Sequence, residues 1–209
     1  MIPSLKNEYI TLKIEQRLYQ CPVPIIGLTG GIATGKSFFA RYLSQRGLPV
    51  ISADDLIKNI YDWPETKDWL LKNNLPPKGP KLREMVFNDP DLKIKVENYL
   101  YPLLPKSFLD FFSRFKNPQV IIYDVPLLFE KKLELFFDQV VLVYASKDEQ
   151  IKRLIQRDHI SNELALKMLQ SQLPIENKKT KTKWVIDNND ILNSKDRFDQ
   201  FFDLIFTGI

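Results

Sequence analysis

Residues 27 to 37 read G-L-T-G-G-I-A-T-G-K-S and hold four of the chain's 7 glycines. Glycine loses more backbone entropy on folding than any other residue, so such a cluster marks backbone that turns sharply or approaches something a Cβ would exclude. Gly30, the four residues Gly31, Ile32, Ala33 and Thr34, and then Gly35-Lys36-Ser37 have the spacing of a loop that wraps phosphate. In such a loop successive N–H groups converge on the anion and a helix start adds positive potential. Lys36 then bridges the β- and γ-phosphates, and the Ser37 hydroxyl holds Mg²⁺. Phe38 follows directly and completes the nucleotide-binding segment. Two aspartates end apolar runs downstream. Asp54 follows L-P-V-I-S, where a carboxylate can take the proton of an attacking hydroxyl; the alternative is that Ser52, Asp54 or Asp55 only caps the next helix. Asp124 closes Q-V-I-I-Y-D, where it orients Mg²⁺ or its water, or else only terminates the strand. No Asn-Lys-x-Asp guanine-reading loop is present, which favours a kinase over a GTPase.

These groups meet only if the intervening elements bring them to one edge. V-P-I-I-G-L reads as a strand, and S-F-F-A-R-Y-L-S-Q-R-G as a helix closed by Gly47. L-P-V-I-S, Q-V-I-I-Y-D-V, Q-V-V-L-V-Y-A and W-V-I-D-N are further apolar runs, each followed by turn or helix signals. Continuous β-branched runs separated by helices predict a parallel sheet covered on both faces, hence an α/β core. The carboxyl ends of parallel strands share an edge, so Asp54 and the loop after the first strand are expected to approach each other. Residues 56–117 differ in texture. They read as helices bounded or interrupted at Pro90, Pro102 and Pro105. Phe108, Phe111, Phe112 and Phe115, three and four apart, read as core packing. The expected division is an extension over 1–24, docked or frayed, a core of 25–55 and 118–209, and an insertion over 56–117.

At 44% hydrophobic and 27% charged residues the chain is ordinary for a soluble globular protein. Its net charge of +4 favours anionic partners, but the basic residues are scattered and form no aromatic-interleaved stripe. Nucleotides suit it, and no nucleic acid is expected. No apolar run reaches membrane-span length, and M-I-P-S-L-K-N-E-Y-I lacks the order of a secretory signal. A cytoplasmic protein with no membrane contact and no obligate protein partner is expected. The single cysteine, Cys21, excludes an internal disulfide and has no assigned role. His159, the only histidine, reads as a surface turn residue.

Six motifs in order resemble one family: G-L-T-G-G-I-A-T-G-K-S, V-I-S-A-D, L-R-E-M-V-F-N-D-P, D-V-P-L-L-F-E, R-L-I-Q-R-D and V-I-D-N-N look like the dephospho-coenzyme A kinases from residue 25 to about 190. The resemblance implies ATP-dependent phosphorylation of the ribose 3′-hydroxyl of dephospho-coenzyme A, a phosphotransfer to an alcohol group that completes coenzyme A synthesis. It implies a P-loop three-layer sandwich, like nucleoside-monophosphate kinases, with a helical substrate-binding insertion and a helical lid over about 157–183. ATP and Mg²⁺ are the implied cofactors. Asp54 is the implied base, Lys36 and Ser37 the phosphate and magnesium ligands, and Arg157 a lid cation on the transferring phosphate. Arg83, Tyr101, Pro126 and Leu127 are the implied substrate contacts. Lys178 to Lys183 either add positive potential to the lid or form a solvated face. The chain departs from the family pattern at Phe38 (usually Thr), Ser52 (Asp), Tyr101 (His), the shortened turn P-P-K-G-P-K, and Thr182-Lys183 (Ala-Asp). Tyr101 keeps a ring and a hydroxyl but cannot carry a histidine's charge. The competing readings are another P-loop kinase with a different acceptor, and a protein that binds ATP without transferring phosphate.

Overall fold

The computed structural model describes residues 2–191 and 193–208. The chain forms two compact units, Ile51–Lys116 and the remainder. Along the chain run β1 (Ser4–Leu5), β2 (Ile25–Gly30), α1 (Lys36–Gln45), β3 (Val50–Ser52), α2 (Ala53–Asp62), α3 (Pro64–Lys72), α4 (Pro80–Asn88), α5 (Pro90–Leu100) and α6 (Leu104–Phe112). They continue as β4 (Ile121–Asp124), β5 (Gln139–Tyr144), α7 (Lys147–Asp158), α8 (Asn162–Gln170), α9 (Ile175–Lys179), β6 (Trp184–Asp187), α10 (Ser194–Ile205) and β7 (Phe206–Thr207).

β4, β2, β5 and β6 lie in the larger unit and belong to a parallel sheet of order β3-β4-β2-β5-β6. All five apolar runs of the sequence appear in it. β2 is central, with Leu28 opposite Asp124 of β4 and Val141 of β5. Every residue of β2, β4 and β5 is buried, as expected when helices cover both faces. Under one face Phe39 of α1 packs 4.6 Å from Phe198 of α10, and Phe201, Phe202 and Ile205 complete the layer. Just past the end of α1, Gly47 at a φ of 85° lets Leu48 N–H reach back to Leu43 O, a glycine-dependent helix stop.

Residues 2–24 are docked, and the frayed alternative does not hold. β1 pairs antiparallel with β7, Leu5 opposite Phe206. The Asp138 carboxylate, at the entry to β5, accepts from Thr11 N, Leu12 N, Ile25 N and the Arg17 guanidinium. No apolar periodicity announces this, because the anchor is a buried charge distant in sequence.

The smaller unit, Ile51–Lys116, is helical around Ile60, Leu70, Leu75, Leu82, Val96 and Leu100, with Trp69 stacked on Tyr99 at 4.2 Å. Prolines set its helix starts: Pro64, Pro80 and Pro90 each open a helix, where the missing N–H is not needed. Asp89 caps α5 through Asp91 N and Leu92 N, and Pro102 lies in the short 3₁₀ turn between α5 and α6. Of the four phenylalanines expected in the core, Phe108 alone is fully buried. Phe111, Phe112 and Phe115 are half-buried, and Phe111 carries the Arg114 guanidinium over its ring at 4.1 Å. Their spacing turns a whole face inward only if that face is covered, and toward the end of α6 it is not.

Candidate active site

β2 delivers the chain at Gly30 into the loop, and α1 takes it up at Lys36. Thr34 closes the turn, its N–H and hydroxyl both bonding Gly31 O. Gly35 precedes the helix at φ 92°, and a Cβ there would run into the Asn188 carboxamide. The loop's carbonyls are held from outside. Asn188 Nδ2 donates to Thr34 O at 2.8 Å, and the Arg153 guanidinium approaches the carbonyls of Ala33 and Thr34 at 3.5 Å. Arg153 is itself fixed by Glu149 at 2.9 Å and by the carbonyls of Asn188 at 2.7 Å and Asn189 at 3.1 Å. With its carbonyls engaged by these donors, the loop can offer N–H groups to an anion. On the far side Ile32 N donates to Gln172 Oε1.

Lys36 Nζ forms an ion pair with Asp124, which the parallel register places beside β2. A cleft of ≈ 400 Å³ runs over the loop, lined by Gly30 to Ser37, Pro126, Arg153, Arg157 and Gln172. It gathers Gly30, Gly31, Ile32, Ala33, Thr34, Gly35, Lys36, Ser37, Pro126 and Arg157 from the sequence reading. Arg157 is exposed and grips Asp158 through two bonds of 2.7 and 2.8 Å. That contact raises the guanidinium's already high pKa and holds the Asp158 carboxyl below its usual range. Phe38 is turned from the loop toward α10, its ring 5.6 Å from Phe198. Leu127 is exposed on the segment after β4, where the adjacent Pro126 O accepts from Thr29 Oγ1.

In the smaller unit Asp54 is exposed in the first turn of α2. The side-chain cap of that helix is Ser52, which accepts from Asp55 N. Asp54 lines a cleft of ≈ 870 Å³ with the cations Lys58, Lys78, Arg83 and Lys93 and the apolar Ile57, Tyr61, Val86 and Phe87. The cleft thus joins Asp54 to Arg83. Tyr101 does not line this cleft and is exposed at the start of the 3₁₀ turn between α5 and α6. His159 ends α7 in the left-handed region at φ 53°, exposed as expected.

The structure adds Arg153, Gln172, Lys178 and Asn188 to the site. Arg153 lies one helical turn before Arg157 on α7, a spacing that shares a face and was legible. Asn188 ends the V-I-D-N motif at the same sheet edge. Lys178, placed by composition in a solvated or field-forming run, is fully buried.

A glycine loop between a central parallel strand and a helix, its lysine paired to the aspartate ending the next strand, defines a P-loop kinase. The family model for dephospho-CoA kinase matches residues 24–194. The dephospho-CoA kinase of Fusobacterium nucleatum is 35% identical over 188 residues, 84% of this chain and 97% of that one. That of Arabidopsis thaliana is 32% identical, over 81% and 78%. Among solved structures, a Thermus thermophilus protein superposes with a TM-score of 0.75 at 30% identity, covering 87% of this chain and 97% of its own. The dephospho-CoA kinase from Campylobacter jejuni gives 0.62 at 28%, over 86% and 95%. The chain belongs to the dephospho-CoA kinase family, the enzymes that phosphorylate dephospho-CoA with ATP in the final step of coenzyme A synthesis.

Proposed function

We propose that the chain transfers the γ-phosphoryl group of ATP to the ribose 3′-hydroxyl of dephospho-CoA with Asp54 as general base. Lys36 and Arg157 supply the cations at the transferring phosphoryl, where charge spreads over the equatorial oxygens. Ser37 and Asp124 are the protein ligands of Mg²⁺. A hydroxyl and a carboxylate are oxygen donors of the kind Mg²⁺ takes beside phosphates and water, and the Lys36–Asp124 pair brings the carboxylate to the loop's lysine. Held by Ser37 and Asp124, Mg²⁺ would supply positive charge against that developing on the phosphate. The loop N–H groups orient the phosphates, and residues of about 157–183 close as a lid that excludes water.

The unit Ile51–Lys116 binds the acceptor through Arg83 and Tyr101, and Pro126 and Leu127, outside that unit, are the other acceptor contacts. The observation that carries this reading is the cleft that puts Asp54 among four cations and an apolar wall. An acceptor with a diphosphate, an adenine and a pantetheine arm needs both surfaces. Among the described residues no helix is long and apolar enough to cross a membrane, and the reading is of a cytoplasmic enzyme without nucleic-acid or obligate protein partners. Coupled ADP release with dephospho-CoA, against a panel of nucleosides and nucleoside monophosphates, tests it; turnover with the panel alone sinks it. Asp54→Asn is expected to lower kcat by about 10²–10⁴-fold while leaving ATP binding nearly unchanged. Full turnover by that variant removes Asp54 from the base role.

A further inference from the structure

Lys178, on the short helix α9, is a fully buried lysine; it does not line the cleft over the phosphate loop itself but lies behind two residues that do, Gly30 and Pro126. Its ammonium carries three protons, and three acceptors surround it: Glu130 Oε1 at 2.8 Å, Gly30 O at 3.2 Å and Pro126 O at 3.4 Å. Glu130 Oε1 also accepts from Leu173 N. A buried ion pair is rarely more stabilising than an apolar pair of the same volume, so stability alone gives weak reason for its presence. Its partners are informative. Gly30 O belongs to the residue that opens the phosphate loop, and Pro126 O to the segment that leaves β4 two residues after Asp124.

We propose that Lys178 is a positioning residue for phosphoryl transfer, an internal staple that sets the phosphate loop and the segment after Asp124 at a fixed distance. The reasoning starts from the peptide plane. The Gly30–Gly31 bond is trans, so its N–H is antiparallel to its C=O. Holding Gly30 O on the ammonium therefore turns the Gly31 N–H the opposite way, away from Lys178. The same ammonium restrains Pro126, which Thr29 Oγ1 also holds, and so limits where Asp124 and its partner Lys36 can move. The neighbouring chain adds two further stitches, Gln172 to Ile32 N and Leu173 N to Glu130. The root of the lid segment is thus fastened to both loops of the larger unit.

The inference rests on the kinase reading, and binding of a fluorescent ATP analogue to the unaltered chain checks the phosphate loop independently. The test compares Lys178→Met, Lys178→Arg and the double variant Lys178→Met/Glu130→Gln by kcat and melting temperature. Lys178→Met strands the Glu130 carboxylate, so it loses both stability and activity. In the double variant no charge is stranded and the melting temperature returns toward that of the unaltered chain. Its kcat stays about 100-fold down, the scale of a misplacement near 1 Å. Lys178→Arg restores the charge pair but cannot bring its planar fork to all three acceptors, and it keeps the fold with kcat reduced about tenfold. A double variant whose activity recovers together with its stability, or an arginine variant with full kcat, overturns the positioning role. If the methionine variants do not fold, the arginine variant alone decides.

Discussion

Asp138→Asn isolates what holds residues 2–24 in place. The Asp138 side chain is fully buried, and Arg17 is nearly so. Oδ2 accepts from Arg17 Nε at 2.8 Å and Ile25 N at 2.9 Å, and Oδ1 from Thr11 N at 3.0 Å and Leu12 N at 2.9 Å. Asparagine keeps one oxygen and presents an NH₂ in place of the other. Two donors then face a donor. Breaking a buried ion pair from one side costs about 3–5 kcal/mol, and a stranded backbone N–H about 1–3 kcal/mol. Relaxation of the extension limits the total, so about 4 kcal/mol is expected. With a urea slope of about 2 kcal/mol/M the unfolding midpoint falls by about 2 M. Urea unfolding reads this shift, and limited proteolysis reads early cleavage within residues 6–20. Arg17→Met/Asp138→Asn should recover part of the loss, since no cation is then left unpaired. A midpoint shift below about 0.5 M in the single variant, worth about 1 kcal/mol, refutes the anchoring argument.

Gly35→Ala forces a left-handed φ on a residue with a Cβ and drives that Cβ into the Asn188 amide. Loss of ATP binding by at least about tenfold is expected in a nucleotide titration, with the smaller unit's fold intact; unchanged affinity would show that the loop tolerates repacking. Alkaline titration should expose the Tyr144–Glu176 bond. Tyr144 donates to Glu176 Oε1 at 2.7 Å, and that bond pushes the phenol up to about 12. A folded pKa above the free value of about 10 means the bond's contribution is complete below pH 10 and fades between about 10 and 12. Melting curves of the unaltered chain should therefore converge on those of Tyr144→Phe over that window, and a constant gap would contradict the sign.

The sheet was legible because its strands are continuous β-branched runs that a parallel, doubly covered strand requires. The phosphate loop was legible because its glycines have a conformational reason, which Gly35 at φ 92° bears directly. Residues 2–24 were not legible: Asp138 is more than a hundred positions from the backbone it binds, and β1 and β7 are two residues each, too short for any period. Lys178 shows the same limit. In sequence it is one of several lysines in a polar run, and only the fold distinguishes it from the exposed Lys179 beside it. Arg153 differs, since it stands one turn before Arg157 on the same face of α7 and its spacing is visible in the sequence, while its role of holding the loop carbonyls is visible only in the fold.

The sheet's central strand, β2, has β4 and β5 as its two neighbours, and both lie beyond residue 120. During synthesis β2 emerges early and waits, apolar and with both edges open, while the ribosome adds the whole of Ile51–Lys116. That helical unit is contiguous and can settle as it appears, whereas its host cannot close until β5 has been made. The interval is when a chaperone, or an unwanted strand from another chain, would find β2 most accessible.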